Sequence, residues 1–172
     1  MRTIAEVASQ ELMWVQPARL QRVYELHASD DVVALLRFER ASLASAETAW
    51  QKWTFQQEGF WRRQVTIHSP DSDDALVFKA AGMSSGTLGL SQGRLLRFGA
   101  ANFWRSRWDW SDNESQAPLI HFKSRPGLLK TEGQVDIETK AVTYPELPLL
   151  VVLGWYLLIL FARAAAAAAV IR

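Results

Sequence analysis

The sequence predicts a mainly β domain, a sandwich or a barrel, that ends in one apolar helix. Three observations support this prediction. Apolar side chains recur at every second position through most of 11–141. Short clusters of turn residues separate these segments. The stretch 147–162, in contrast, contains no charged residue at all. With 172 residues, we expect a single domain over 1–172 that buries a sizeable core.

The segment 103–110 illustrates the strand pattern. Trp104, Trp108 and Trp110 fall on one face of an extended chain, and charged residues fall on the other. This alternation is typical of antiparallel strands with one buried face. The eight tryptophans of the chain favour an aromatic-lined interior. Similar alternation occurs in 49–56, 60–68, 118–123 and 135–140.

Turn residues divide the body into roughly ten to twelve strands. Pro126 followed by Gly127 suits a type II turn, because glycine accepts the positive φ at its third position. The glycine-rich stretch 82–89 lacks the lysine of a phosphate-binding loop, so we interpret it as a hairpin turn between two strands. The other predicted turns are 29–31, 57–59, 69–71, 92–93 and 111–113.

The apolar tail, 147–171, has two interpretations. A helix that is apolar on every side is surrounded either by lipid or by protein. The strongly apolar part ends before Arg163 and is short for a membrane span, for which about twenty residues are needed. Trp155 and Tyr156 lie mid-segment, whereas interfacial aromatic residues lie at the ends of a span. We therefore favour a core helix over the alternative, a C-terminal membrane anchor.

The order of these parts resembles that of the tubby C-terminal-like superfamily, which includes LURP-one-related and phospholipid-scramblase-like proteins. The resemblance is carried by 94–110 (RLLRFGAANFWRSRWDW), by 117–123 (APLIHFK) and above all by the closing LPLLVVLGWYLLIL. It covers most of the chain from about Gln21 onward. The resemblance implies a closed antiparallel β-barrel of about twelve strands around a central hydrophobic C-terminal helix.

For function, the resemblance implies a binding or scaffold domain. Tubby domains bind phosphoinositide head groups through basic residues, and scramblase-like members are associated with membranes. This chain departs from the scramblase-like pattern because it has no cysteine and no acidic calcium-binding segment. The nearest acidic stretch, 71–74, lacks the glycine and the closing acid of an EF-type loop, so we predict a solvated turn.

Several classes of chemistry have no support in the sequence. Without cysteine there are no disulfides, thiol nucleophiles or thiolate metal sites. His27, His68 and His121 are far apart in the chain and do not suggest a metal-ligand set. No nucleophile motif is present. We therefore expect no enzymatic activity, no catalytic residue, no cofactor and no metal, and the near-neutral net charge of +1 argues against nucleic acid.

Basic residues in the middle of the chain carry the one functional prediction. Between Lys79 and Arg107 there is no acidic residue, and Arg105 and Arg107 are expected to share a strand face. Such side chains form a phosphate-binding patch if adjacent strands bring them together. The plainer interpretation is a solvated strand face. The predicted patch consists of Arg62, Arg63, Arg94, Arg97, Arg105, Arg107 and Lys123.

The sequence thus leads us to expect a non-enzymatic, monomeric binding domain for phospholipid or phosphoinositide head groups, or for a protein partner at a membrane surface. The start of the chain has no apolar run, so we expect a cytoplasmic protein, with membrane association left open. Two alternatives stay open. One is a tail-anchored membrane protein that crosses the bilayer with 147–171. The other is an enzyme that uses the barrel mouth, which a cluster of histidine and carboxylates would favour.

Overall fold

The chain forms a closed barrel of twelve antiparallel strands, which confirms the predicted fold class. The structure, a computed structural model, describes residues 1–58, 63–125 and 132–170. Each strand pairs with the next along the chain, and the first pairs with the last. The strands are β1 (Leu12–Val15), β2 (Val23–Ala28), β3 (Asp31–Phe38), β4 (Leu43–Thr48), β5 (Lys52–Glu58), β6 (Gln64–Ser69), β7 (Ser72–Ala80), β8 (Ser85–Gly89), β9 (Leu95–Ala100), β10 (Arg107–Asp112), β11 (Pro118–Arg125) and β12 (Glu132–Ile137).

The helices are α1 (Ile4–Val7) and α2 (Leu147–Val170), and two short 3-10 turns occupy Ser91–Gly93 and Thr139–Ala141. Burial alternates strictly along strands such as β2 and β4, as the period-two pattern predicts. The glycine-rich stretch 82–89 was predicted as a hairpin turn, but only 82–84 lie in a turn, and 85–89 form β8. The predicted Pro126–Gly127 turn and Trp61 lie outside the described residues.

One strand boundary differs from the prediction and leaves a tryptophan on the surface. The sequence pattern places Trp104 in a strand over 103–110, facing the interior. In the structure β10 begins only at Arg107, and Trp104 is 82% exposed in the preceding loop. The strand cannot begin earlier because Arg105 has left-handed backbone, with φ of 55°. Trp108 and Trp110 do line the barrel.

Helix α2 fills the barrel through an aromatic core. Trp155 stacks on Trp14 of β1 with ring centroids 5.8 Å apart. The next residue, Tyr156, stacks on Phe38 of β3 at 5.4 Å. Further along the helix, Phe161 stacks on the Trp108 ring of β10 at 5.2 Å. The aromatic side chains of α2 therefore contact opposite parts of the wall, which explains why a helix without a polar face is stable here. The buried α2 residues are Leu147, Leu149–Tyr156, Leu157, Leu158, Ile159 and Phe161.

Hydrogen bonds fix the depth of α2 in the barrel. The Trp110 indole Nε1–H donates to the Leu150 carbonyl at 2.8 Å. Near the other end, the Tyr156 hydroxyl donates to the carbonyl of Ser42, and burial raises the pKa of this hydroxyl well above its usual range. Buried polar groups are costly unless they are hydrogen-bonded, so sliding the helix along the barrel would leave both side chains without partners.

The up-and-down order gives the barrel two distinct ends. The turns after odd-numbered strands lie at one end, and those after even-numbered strands lie at the other. Helix α2 comes after β12 and therefore enters beside the even-numbered turns, where α1 also contacts it. We call this the entry end and the opposite one the exit end. At the exit end α2 continues past the wall over 162–170, about 13 Å at 1.5 Å per residue.

By length and composition, α2 is the one described helix that is apolar enough to cross a membrane. Two-thirds of its most apolar window is nevertheless buried inside the barrel. The central position that the sequence analysis favoured is thus the one that the structure has.

The position of α2 predicts opposite results for two aspartate substitutions in the same helix. Leu158→Asp places an unpaired charge in the core, where Leu158 is only 3% exposed, and should cost several kcal/mol of the free energy of unfolding. Ala167→Asp lies in the exposed tail and should unfold like the unmodified protein. Thermal unfolding followed by circular dichroism compares the two. A Leu158→Asp variant whose strands melt normally would contradict the core position of α2.

Gly154 predicts a second stability effect. An added Cβ at this position would lie 2.4 Å from the Phe122 ring and 2.8 Å from Trp110 Nε1, so both aromatic side chains would have to move. We expect Gly154→Ala to lower the free energy of unfolding by about 1–2 kcal/mol, because overpacking outweighs the gain in helix propensity. Gly89→Ala is the control, since its Cβ would meet only Leu95 at 3.9 Å. Urea unfolding that finds the two variants equally stable would contradict close packing at Gly154.

Candidate functional site

The exit end carries a ring of arginines. The exit end consists of the described parts of the turns after odd-numbered strands and of the projecting tail of α2. These segments are 16–22, 39–42, residue 63, 81–84, 101–106 and 162–170. In these segments there is only one acidic residue, Glu39. We call the six arginines of these segments the basic rim; they are Arg19, Arg22, Arg40, Arg63, Arg105 and Arg163.

The entry end has the opposite charge. Its turns and terminal segments are 1–11, 29–30, 49–51, 70–71, 90–94, 113–117 and 138–146. They contain the basic residues Arg2, Arg94 and Lys140, against the acidic residues Glu6, Glu11, Asp30, Asp71, Glu114, Glu138 and Glu146. A chain with a net charge of only +1 is therefore strongly polarised along its axis.

The rim arginines lack the described carboxylate partners that two arginines near the entry end have. At the entry end, Arg94 pairs with Glu146 at 3.1 Å, and Arg2 pairs with Asp31 at 3.5 Å. Across 1–58, 63–125 and 132–170, no carboxylate lies within 4 Å of a rim guanidinium. Arg163 instead donates to the Ala41 carbonyl at 2.8 Å, and its guanidinium lies over the Phe38 ring. The rim thus presents six arginines that form no ion pair with a described carboxylate, against one acidic residue, Glu39, in the same segments.

The structure divides the predicted cationic patch. Arg63 and Arg105 belong to the basic rim, whereas Arg94 lies at the opposite end beside Glu146. Arg62 lies outside the described residues. Arg105 is in a loop and not in the strand of Arg107, so the expected alternation of these two does not occur.

The remaining patch residues lie on the outer wall among acidic side chains. Arg107 Nε is 3.5 Å from Asp109, and Lys123 Nζ is 4.0 Å from Asp136. Arg97 lines a shallow outer groove of about 470 Å³ that Asp109 and Asp112 also line. These three cations fit the plainer interpretation, a solvated strand face of mixed charge.

Four rim residues were missed by the sequence analysis, namely Arg19, Arg22, Arg40 and Arg163. The missed signal is topological. Once consecutive strands are assumed to pair, alternate turns meet at one end, and summing the charge of alternate turns separates the basic end from the acidic one. The search for charge within a continuous stretch of sequence could not find this ring.

Among the described residues, a small crevice opens between α2 and the barrel wall. The crevice lies between α2 and the wall at β6 and β7 and has a volume of about 30 Å³. This crevice is lined by Arg63 and by the helix residues Leu157, Leu160 and Phe161.

The histidine and carboxylate cluster that would favour an enzyme does exist, on the outer wall. His121 Nδ1 is 2.7 Å from Asp109, and Nε2 is 2.8 Å from Glu138. Both ring nitrogens therefore already have a hydrogen-bond partner on the protein. Among the residues that the structure describes, no group of His, Asp and Glu is arranged to hold a metal ion. The cluster is best explained as a link between β10, β11 and the end of β12.

Comparison of the chain with protein-family models, with curated proteins and with solved structures found no match in any of the three. The resemblance to the tubby-like superfamily stays a prediction that rests on the order of parts in the sequence.

The cluster predicts a specific change in a titration. The hydrogen bond from His121 holds the pKa of Glu138 below its ordinary value. The contact therefore stabilises the fold above the ordinary glutamate pKa, and this contribution is lost as the pH falls through the lowered one. In His121→Leu, which has no donor, NMR titration of the side-chain carboxyl should find the Glu138 pKa raised. The pKa of Asp112, lowered by hydrogen bonds from Ser115, is the internal control and should not move. An unchanged Glu138 pKa would contradict the contact.

Proposed function

We propose that this protein is a non-enzymatic binding domain that attaches to anionic phospholipid membranes through the basic rim at its exit end. The observation that carries the proposal is the position of six arginines, without described carboxylate partners, at the same end of a barrel whose other end is acidic. Guanidinium groups bind phosphate oxygens in bidentate geometry, so phospholipid head groups suit such a ring. The resemblance to tubby-like proteins, stated from the sequence, points to the same ligand class.

Charge separation also orients the domain. The acidic entry end is repelled by an anionic surface while the rim is attracted, so the barrel axis stands upright on the membrane. Basic residues close to an anionic leaflet contribute about 1 kcal/mol each. Several rim residues together therefore give useful affinity although the net charge of the chain is only +1.

The projecting tail of α2 is compatible with contact between the basic rim and the membrane. Where the rim reaches the head groups, the projecting part of α2 must enter the bilayer. Between Arg163 and Arg172, 164–171 contains only alanines, Val170 and Ile171, so this stretch carries no charged side chain into the bilayer. The domain would then be attached by its surface, with the buried part of α2 still in the barrel.

The alternative is a protein that crosses the bilayer with 147–171. This arrangement requires α2 to leave the barrel, which would expose the aromatic faces that Trp155 and Tyr156 now cover. High salt weakens the vesicle binding of the surface-attached protein, because the charge interactions of the rim are screened while its apolar contacts are not. A spanning protein stays bound in high salt and leaves only with detergent.

Matched substitutions at the two ends test the proposal. The rim variant is Arg19→Gln, Arg22→Gln and Arg40→Gln; the control variant is Arg2→Gln, Lys52→Gln and Lys140→Gln. Both remove three positive charges. Vesicles of phosphatidylcholine with phosphatidylserine are the probe, in a sedimentation assay. We expect the rim variant to bind about 100-fold more weakly and the control to bind like the unmodified protein, because three cations near the surface contribute about 3 kcal/mol.

Three results would contradict the proposal. One is equal weakening in the rim and control variants, which would show that only total charge matters. Another is the absence of binding to anionic vesicles by the unmodified protein. The third is equal binding to vesicles of pure phosphatidylcholine, which carry no net charge. Unchanged thermal unfolding of both variants verifies that the fold is intact.

A further inference from the structure

We propose that the β9–β10 loop, 101–106, is a membrane-insertion element that buries Phe103 and Trp104 in the interfacial layer of an anionic bilayer. This inference rests on the proposed function, since it states which side chains enter the membrane that the basic rim approaches. The partner is the lipid bilayer itself, and the contact is apolar and aromatic.

The exposure of the two rings is the starting observation. Phe103 is 89% exposed and Trp104 is 82% exposed, and they contact one another edge to face with centroids 5.4 Å apart. Aromatic side chains of this size normally stabilise a core or an interface. Here they form one continuous apolar patch at the tip of a loop, where they contribute nothing to the barrel core.

The base of the loop is firmly held. The Asn102 side-chain carbonyl accepts from the backbone N–H groups of Ser106 and Arg107 at 3.0 and 3.3 Å, and the Asn102 amide donates to the Ser106 hydroxyl at 2.7 Å. From inside the barrel, the Trp108 indole N–H donates to the Arg105 carbonyl at 2.9 Å.

This geometry is an ordered platform that points two rings away from the protein. The left-handed backbone of Arg105 aims its carbonyl inward, where Trp108 binds it. Insertion of a loop that is already ordered costs little conformational entropy.

The surroundings of the pair identify a bilayer as its partner. The aromatic tip lies at the end where the rim arginines lie, and Arg105 comes directly after it in the chain. An apolar patch beside cations that have no described carboxylate partner complements a surface with anionic groups outside and an apolar layer beneath. Anionic bilayers have this layering, and tryptophan concentrates at the boundary between their head groups and acyl chains. Leu20, in the 16–22 turn, is 98% exposed and is a further exposed apolar side chain at the same end.

The chain supplies a matched control for the test. Trp50 is 81% exposed, but it lies in the β4–β5 turn at the entry end. The full chain is compared as Phe103→Ser with Trp104→Ser, and as Trp50→Ser, on vesicles of phosphatidylcholine with phosphatidylserine. We expect the loop variant to bind at least about tenfold more weakly, because two aromatic side chains no longer enter an apolar layer. Trp50→Ser should bind like the unmodified protein.

A depth measurement shows whether the loop enters the bilayer. Vesicles with brominated acyl chains quench tryptophan that reaches them. Vesicle-bound unmodified protein should lose fluorescence, and Trp104→Phe should lose less of it, because the other described tryptophans except Trp50 are in the core. Trp50→Phe should be quenched as strongly as the unmodified protein.

The outcomes separate this inference from the proposed function. Loss of binding in the rim variant together with normal binding and quenching in the loop variants would overturn insertion and leave the head-group site intact. Absence of binding to anionic vesicles by the unmodified protein would overturn both. Binding of soluble inositol phosphate by the unmodified protein with no quenching on vesicles would also overturn insertion, since the rim would then recognise head groups alone.

Discussion

The contact between α2 and the inner wall of the barrel is the constraint on which the rest of the structure depends. A twelve-stranded barrel encloses more space than its own inward side chains fill, and an empty apolar interior is unstable. The first fifteen residues of α2, from Leu147 to Phe161, occupy that space. Trp155 stacks on Trp14, and Gly133 of β12 leaves room for the same indole, since a Cβ there would lie 2.5 Å from its ring. The inner wall of the barrel and the side chains of α2 therefore have complementary shapes.

The same constraint makes the two ends of the barrel different. The helix enters at one end, beside α1, and continues past the wall at the other. Hydrogen bonds from Trp110 and Tyr156 fix how far it passes. The position of Arg163, which donates to the Ala41 carbonyl at the rim, is a consequence of that depth. A feature of the core thus determines how much apolar helix the exit end presents.

Much of the fold could be predicted from the sequence because it depends on local pattern. Alternation of apolar residues indicated the strands, and the charge-free stretch indicated the helix. The 101–106 loop could not be predicted in this way. Trp104 is in phase with Trp108 and Trp110, and only the bonds of Asn102 and the carbonyl position of Arg105 exclude it from the strand. The candidate site was more difficult to predict from the sequence than this loop. Arg63 and Arg105 were named, but Arg19 and Arg40 join them only through strand pairing.

Compensation of the helix macrodipole does not account for the basic rim. Cations near a helix C-terminus are stabilising, but the effect falls off within the last turn. The last turn of α2, 167–170, lies beyond the wall, whereas Arg163 is about 6 Å or more back along the axis, at 1.5 Å per residue. The other rim arginines are on strand turns, and Arg19 and Arg22 belong to the turn after β1. Arg163 contacts the Ala41 carbonyl and the Phe38 ring, but no described carboxylate pairs with any of the six rim arginines. Repulsion among them costs stability, and a bound anionic surface removes that cost.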